Sequence, residues 1–173
     1  MNVQFLNPFV EAAYEVLRVE LGADISRGDL NFETGPYRTD DVTVVIALVG
    51  AVEGTVFYSM SKGTAIRIAS HTIGEEFQDL EGLAQSGIAE LGNVITGRAS
   101  MKLSQAGYEA TISPPSLILG SGATISTLDF PRLIVPLLTA MGPMTVHLAL
   151  RAGANLQVKT AHLAVPKAPI PQK

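Results

Sequence analysis

Glu90 and Asn93 lie three residues apart in the apolar stretch AQSGIAELGNVITG, residues 84–97. Glu90 carries a carboxylate, which accepts hydrogen bonds and attracts cations. Asn93 carries an amide, which donates through its NH2 group and accepts through its carbonyl, so it can hold a water molecule in one orientation. An amide does not act as a base near pH 7, so chemistry at this pair would work by positioning a reactant.

A long helix must position this pair. The sequence predicts a helix capped by Asp79 and running to about Gln105, with Gly107 ending it. At about 100° per residue, six apolar side chains fall on one face that must enter the core. They are Leu80, Ala84, Ile88, Leu91, Ile95 and Ala99. The opposite face carries a polar stripe made of Ser86, Glu90, Asn93 and Gly97, which should face solvent.

The polar stripe has an unusual composition for an exposed helix face. Such faces usually fill with Lys, Glu, Arg and Gln, which are strong helix formers. Here the side chains are short and nearly uncharged, and each glycine costs about 1 kcal/mol relative to alanine. The stripe is therefore either an ordinary solvated face or a docking surface that a partner approaches closely. Gly87 and Gly92 lie off the stripe, and the sequence suggests only general close packing for them.

Two further helices are predicted from their end signals. One runs from Pro8 to Leu21, with Asn7 as its N-cap and Gly22 just past its end. The other runs over residues 62–73, with Ser61 as N-cap and Gly74 closing it.

Several β-branched and aromatic runs predict strands. Residues 42–49 and 55–60 form a hairpin of largely buried strands. The apolar run over residues 133–150 contains Pro and Gly, which favours two strands joined by MGPM over a membrane span. Residues 22–41 should be irregular with about one strand.

The composition narrows the class of protein. The chain has 173 residues, 47% of them hydrophobic and 16% charged, with a net charge of −4 and no cysteine. Its scattered basic residues argue against nucleic-acid binding, and the absence of cysteine is compatible with a cytoplasmic location. We predict one domain over residues 1–155 and a partly disordered C-terminal extension over residues 156–173, since that tail is rich in Pro and Lys.

The motif Ser86-x3-Glu90-x2-Asn93, followed by Val94-Ile95-x-Gly97, resembles the signature of the CheC/CheX/FliY phosphatases of bacterial chemotaxis. Residues 46–76 resemble the hairpin and helix of that family, and residues 111–122 its Pro-containing segment. The resemblance covers roughly residues 7–150. Tyr14 stands three residues after Glu11, where a second site would need an amide, so the chain is most similar to the single-site CheX type.

This resemblance implies an α+β fold, with long helices packed on a mostly antiparallel sheet. It implies a phosphatase that hydrolyses the aspartyl-phosphate of a response-regulator receiver domain, CheY-like, in chemotaxis or related two-component signalling. Such an enzyme needs no cofactor of its own, because the receiver holds the Mg²⁺. The resemblance also implies a homodimer that joins its sheets edge to edge.

The resemblance assigns a role to each member of the polar stripe. Asn93 would orient the attacking water, and Glu90 would pair with a lysine of the receiver. Ser86 would contact the surface of the partner, and Gly97 would leave room for one of its loops. Pro114 and Pro115 would shape the chain nearby rather than touch phosphate.

Two other interpretations remain open at this point. The chain could be a non-catalytic module of the same fold that binds a receiver or forms a structural dimer. A metal-dependent enzyme is the less favoured interpretation, because His71, His147 and His162 have no metal-ligand spacing to one another or to acidic residues.

Overall fold

The computed structural model describes residues 2–127 and 130–154. These residues contain three helices and ten strands, joined by turns and loops. The predicted extension over residues 156–173 and His162 lie outside these residues. The helices are α1 Val3–Leu21, α2 Lys62–Ile73 and α3 Leu83–Gln105. The strands are β1 Ser26–Arg27, β2 Asn31–Glu33, β3 Tyr37–Arg38, β4 Val42–Gly50, β5 Val52–Met60, β6 Ala110–Ile112, β7 Ser116–Leu119, β8 Thr124–Ile125, β9 Arg132–Thr139 and β10 Gly142–Ala152.

Eight of these strands form one sheet in the order β1-β9-β10-β5-β4-β6, with β2 also paired to β9 and β7 to β4. Each of these pairings is antiparallel, as is that of β3 with β8 in a separate two-stranded sheet. The α+β fold with helices on a mostly antiparallel sheet is therefore confirmed. None of the helices in the described ranges is both long enough and apolar enough to span a bilayer.

The core lies between one face of this sheet and the three helices. Val44, Ile46, Val56 and Tyr58 of the central strands are fully buried in it. The predicted apolar face of α3 is buried too, since Ala84, Ile88, Leu91, Ile95 and Ala99 are each at most 6% exposed. Burying such side chains contributes about 1.5–3 kcal/mol for each of the larger ones, so this face fixes the rotation of α3 about its axis.

The first helix begins five residues earlier than predicted. Its N-cap is Asn2, whose side chain accepts a hydrogen bond from the Gln4 amide, so the expectation that Asn7 is the N-cap was wrong. The apolar period continues upstream through Phe5 and Leu6, which are buried. Their burial offsets the cost of about 3 kcal/mol for the internal Pro8. Gly22 ends the helix in the left-handed conformation (φ 61°), as predicted.

The start of α3 also differs from the prediction, because Asp79 does not cap it. The helix begins at Leu83, and the Asp79 carboxylate instead accepts a hydrogen bond from the Leu80 amide and pairs with Lys62 Nζ at 2.6 Å. Leu80 is buried, as expected, but lies before the helix. The predicted end at Gln105 and the full extent of α2, with its Ser61 cap and Gly74, are confirmed.

The predicted strands are all present, with small shifts at their ends. The β4–β5 hairpin is longer than predicted, and its pairing extends from Val42 with Met60 to Leu48 with Gly54. The β9–β10 turn lies at residues 140–141, before GPM, because Gly142 already pairs with Thr139. Residues 22–41 hold three short strands where about one was expected.

Candidate functional site

The helix α3 carries the candidate site, and α1 runs antiparallel beside it. Two cations of α3 pair with carboxylates of α1. Arg98 lies 3.2 Å from Glu15, and Lys102 lies 2.9 Å from Glu15 and 3.2 Å from Glu11. The hydrogen bond from Lys102 lowers the pKa of Glu15 and raises that of Lys102 itself. Such exposed pairs contribute little stability each, and all of them join α1 to the C-terminal half of α3.

On its other side, α3 packs closely on the sheet through Gly92. A Cβ atom at this position would lie 2.9 Å from Val44 Cγ1 and 3.2 Å from Tyr58 Cδ2. The Tyr58 hydroxyl is 2.8 Å from Thr96 Oγ1, and Thr96 in turn donates to the Gly92 carbonyl at 2.8 Å. Burial raises the pKa of Tyr58, so this hydroxyl stays protonated and can donate. Through Gly92 and Thr96, the inner face of α3 is thus held against the sheet at the level of Glu90 and Asn93.

Gly87 has a similar role toward α2. A Cβ atom there would lie 2.8 Å from Ile73 Cδ1, at the end of that helix. The general expectation of close packing for Gly87 and Gly92 therefore has a specific basis. Gly87 lets α2 approach α3, and Gly92 lets the sheet approach it.

Glu90 and Asn93 are in direct contact on the outer face of α3. Asn93 Nδ2 donates a hydrogen bond of 3.3 Å to Glu90 Oε2. Glu90 is exposed and Asn93 is half-buried. The spacing i, i+3 places the two side chains one above the other, which is the usual result of helical geometry. Within the described residues Asn93 makes no other side-chain hydrogen bond, so its carbonyl oxygen and one N–H remain available.

The other members of the polar stripe lie on the same outer face. Ser86 is exposed, and its hydroxyl donates to the Gly82 carbonyl at 3.2 Å. Gly97 borders open space, because a Cβ atom built there would meet no atom within 4 Å. The stripe therefore presents a hydroxyl, a carboxylate and an amide, followed by a bare stretch of backbone.

A cleft opens beside Glu90, where the ends of α1 and α2 meet α3. Its volume is about 250 Å³, and Glu20 of α1 and Thr72 of α2 line it together with Gly87, Glu90, Leu91 and Val94 of α3. Reasoning from the sequence missed Glu20 and Thr72, since no local motif shows that these two helix ends converge on Glu90.

The candidate site offers no cage for a metal ion. In the described ranges, no three His, Cys, Asp or Glu side chains come close enough together to hold one. His147 is buried on the sheet, with Nε2 3.2 Å from Ser59 Oγ, and His71 lies exposed in α2. The groups on the polar stripe can orient a water molecule and attract a cationic side chain. The reacting group and the cation would both have to come from a second molecule that binds this face.

Comparison with known proteins identifies the family to which this chain is similar. Residues 42–138, more than half of the chain, match the family model described as chemotaxis phosphatase CheX. A CheY-P phosphatase CheX from Thermotoga maritima is 28% identical over 154 residues, which cover 88% of this chain and 99% of that protein.

Solved structures show the same relationship. A CheC-like protein from Shewanella superposes with a TM-score of 0.78 at 25% identity, covering 88% of this chain and 100% of that one. CheX from Borrelia burgdorferi, solved as a complex with CheY, BeF3 and Mg²⁺, gives a TM-score of 0.73 at 31% identity, covering 85% of this chain and 97% of the matched chain. The chain therefore belongs to the CheX family of chemotaxis phosphatases.

Proposed function

We propose that this protein accelerates hydrolysis of the aspartyl-phosphate on a CheY-like receiver domain, with Asn93 and Glu90 as its catalytic pair. The observation that carries the proposal is their hydrogen-bonded placement on the exposed face of α3. Membership of a family of chemotaxis phosphatases supports it, as does the name of the Thermotoga relative, a CheY-P phosphatase. Because the protein acts on a receiver domain, we propose that it works in the cytoplasm.

Asn93 is the water-orienting residue in this proposal. In the reaction, a water oxygen attacks phosphorus in line with the leaving aspartyl oxygen. The bond from phosphorus to that oxygen breaks, and inorganic phosphate and the free aspartate result. The amide of Asn93 can accept from the water through Oδ1 and donate through its free N–H. Because an acyl phosphate is already reactive, correct placement of the water is the main contribution that a partner protein can make.

Glu90 serves as the docking carboxylate. It would pair with a receiver lysine near the phosphoryl group, and a charge-assisted contact of this kind fixes the register between two proteins. Its hydrogen bond with Asn93 then couples docking to the orientation of the amide. Glu20, across the 250 Å³ cleft, adds a second negative charge on the same side.

Ser86 and Gly97 complete the contact surface. Ser86 offers a hydroxyl to the partner about one helical turn before Glu90. Gly97 removes the side chain that would otherwise hold the partner away, and the space outside it is open. Mg²⁺ enters this reaction on the receiver, where it neutralises charge on the phosphoryl oxygens. Each of these roles is a prediction from the family motif and the geometry of α3.

The experiment that tests the proposal follows phosphate release from phosphorylated receiver domains encoded in the same genome. With the wild-type protein, we expect faster loss of phosphate from at least one receiver. The Asn93→Ala variant should slow this reaction about 10²-fold. It should still bind the receiver activated with BeF3, because Glu90 remains. The matched control is Asn31→Ala, which removes an exposed amide from β2, away from α3.

Equal rates for Asn93→Ala and wild type would rule out the proposed mechanism. Binding to a receiver without any acceleration by the wild-type protein would instead support the non-catalytic module of the same fold. The homodimer stays a prediction, and a mass of one chain in solution at micromolar concentration would contradict it.

A further inference from the structure

Three apolar side chains of α3 are exposed beside the polar stripe. Leu83, Val94 and Met101 are 54%, 41% and 66% exposed. They are separated by eleven and seven residues, about three and two helical turns, so they lie in one line along the helix. We call these three residues the apolar seam. The line also passes Glu90, which follows Leu83 by seven residues, and Gly97, which precedes Met101 by four.

Exposed apolar residues scattered one at a time are normal on protein surfaces and need no explanation. The apolar seam differs because its members are aligned and are interleaved with the candidate catalytic residues. Val94 directly follows Asn93 in sequence. Met101 also borders a shallow groove of about 520 Å³, whose far wall includes Val49 of β4, itself 68% exposed.

We propose that the apolar seam is the hydrophobic part of the docking surface for the receiver domain, and that the groove at Met101 takes an apolar side chain of the receiver. The inference rests on the proposed function, because it needs a receiver seated over Asn93. It adds residues to which the family motif assigns no role. The apolar seam would contribute to binding of the receiver, and Asn93 to the chemical step.

The apolar seam and Asn93 lie close enough together on α3 for one receiver domain to cover both. Met101 is eight residues from Asn93 and Leu83 is ten, which correspond to about 12 and 15 Å along the helix axis. An ordinary interface covers about 800 Å² on each partner, a patch with a radius of about 16 Å. A receiver placed with its phosphoryl group at Asn93 therefore reaches the whole apolar seam.

The choice of binding partner must also account for the alternation of apolar and polar residues along the outer face of α3. Anything that covers Leu83, Val94 and Met101 also covers Asn93 and Glu90. A second copy of this chain on the apolar seam would block access to the catalytic pair, whereas a receiver uses both sets of residues at once. The receiver is thus the occupant that fits an active phosphatase.

The two sets of residues make different kinetic contributions. Apolar contacts act equally in the ground state and the transition state, so their loss weakens binding without slowing the chemical step. Methionine suits such a contact, since its flexible side chain adapts to an irregular partner surface. Asn93 contributes mainly to the chemical step.

The test compares Met101→Ser with wild type in steady-state phosphate release, over a range of concentrations of phosphorylated receiver. We expect KM to rise roughly tenfold, which corresponds to about 1.4 kcal/mol, with kcat retained. Asn93→Ala should give the opposite pattern, with reduced kcat and little change in KM. The matched control is Leu138→Ser, which removes an apolar side chain of similar exposure (53%) from β9.

Each outcome bears on one proposal. An active wild-type protein whose KM is unchanged by Met101→Ser would overturn the inference and leave the phosphatase function intact. A wild-type protein that is inactive on every receiver would overturn the proposed function instead. If Met101→Ser converts a dimer in solution into a monomer, the apolar seam is a contact between copies of this chain, and the inference is wrong. Thermal unfolding of the variant verifies that it remains folded.

Discussion

Val44 packs against Gly92 so closely that a Cβ atom at position 92 would lie 2.9 Å from Val44 Cγ1. Gly92 is buried on the inner face of α3, while Glu90 and Asn93 lie on the outer face. The missing side chain therefore sets the distance between the sheet and the helix segment that carries the catalytic pair. A glycine inside a helix is costly, and here close contact with the sheet accounts for it.

We predict that Gly92→Ala destabilises the protein and lowers its phosphatase activity. Val44 is fully buried and β-branched, so it cannot easily turn away, and overpacking of this kind costs about 1–3 kcal/mol. The better helix propensity of alanine raises the free energy of unfolding by about 1 kcal/mol and offsets part of this cost. The net loss should be about 1 kcal/mol in urea unfolding. Activity should fall with it, because the helix must move outward at Asn93.

Gly87→Ala is the matched control on the same helix. The new Cβ atom would lie close to Ile73 Cδ1, which is the flexible end of a side chain and can rotate aside. We therefore expect unchanged or slightly increased stability. Val44→Ala should cost less stability in the Gly92→Ala background than in wild type, because the methyl group of Ala at position 92 fills part of the space that Val44 leaves. Equal effects of Gly87→Ala and Gly92→Ala would show that helix propensity, not contact with the sheet, governs both positions.

Gly97 provides a second prediction, in which stability and activity change in opposite directions. A Cβ atom at this position meets nothing within 4 Å, so Gly97→Ala should raise the free energy of unfolding by about 1 kcal/mol through helix propensity alone. Gly97→Gln should also be at least as stable as wild type. Its long side chain, however, fills the space that the receiver needs, so KM for the phosphorylated receiver should rise at least severalfold.

Denaturant unfolding and steady-state phosphate release measure the two effects separately. Gln is chosen because it adds bulk without charge, so a change in KM cannot be attributed to electrostatic repulsion. If Gly97→Gln is stabilised and keeps the wild-type KM, the partner does not approach the helix at this position. The role assigned to Gly97 would then be wrong.

The sequence predicted the helices and the outer face of α3 well, because these depend on local periodicity and on end signals. Ser61 and Gly74 bounded α2 correctly, since both act through the nearest turns of the backbone. Asn7 and Asp79 failed as N-caps because tertiary contacts decided the outcome. Burial of Phe5 extended α1 upstream, and Lys62 engaged the Asp79 carboxylate.

The surroundings of the candidate site were less accessible to sequence reasoning. Gly92 contacts Val44, 48 residues away in the chain, and Glu20 lines the same cleft as Glu90 because α1 and α3 are antiparallel. Such contacts depend on the packing of whole elements, and no local motif encodes them. The buried Arg132 is a further example. It is 2% exposed and pairs at 2.7 Å with Glu33, which lies in residues 22–41, where irregular chain with about one strand was predicted.

His147 gives the third prediction, which concerns the dependence of stability on pH. The residue is 7% exposed, with Nε2 3.2 Å from Ser59 Oγ and its ring centroid 4.7 Å from that of Tyr37. Burial, together with the positive charge of Arg132, lowers the pKa of His147 to about 4. In the unfolded chain its pKa is about 6.5. Between these values the unfolded state binds a proton that the native state does not, so stability falls as pH drops from about 6.5 to 4.

Urea unfolding at pH 7.5 and pH 5 measures this effect. For wild type we expect this histidine to account for a loss of about 2 kcal/mol between the two conditions. His147→Gln should show a smaller loss, because glutamine does not titrate. It can still hydrogen-bond Ser59, although its stability at pH 7.5 should be lower through poorer packing. His71→Gln, at an exposed position of α2, is the control and should keep the wild-type difference. If His147→Gln loses as much stability as wild type between pH 7.5 and pH 5, other groups, such as carboxylates, control the acid sensitivity and His147 does not.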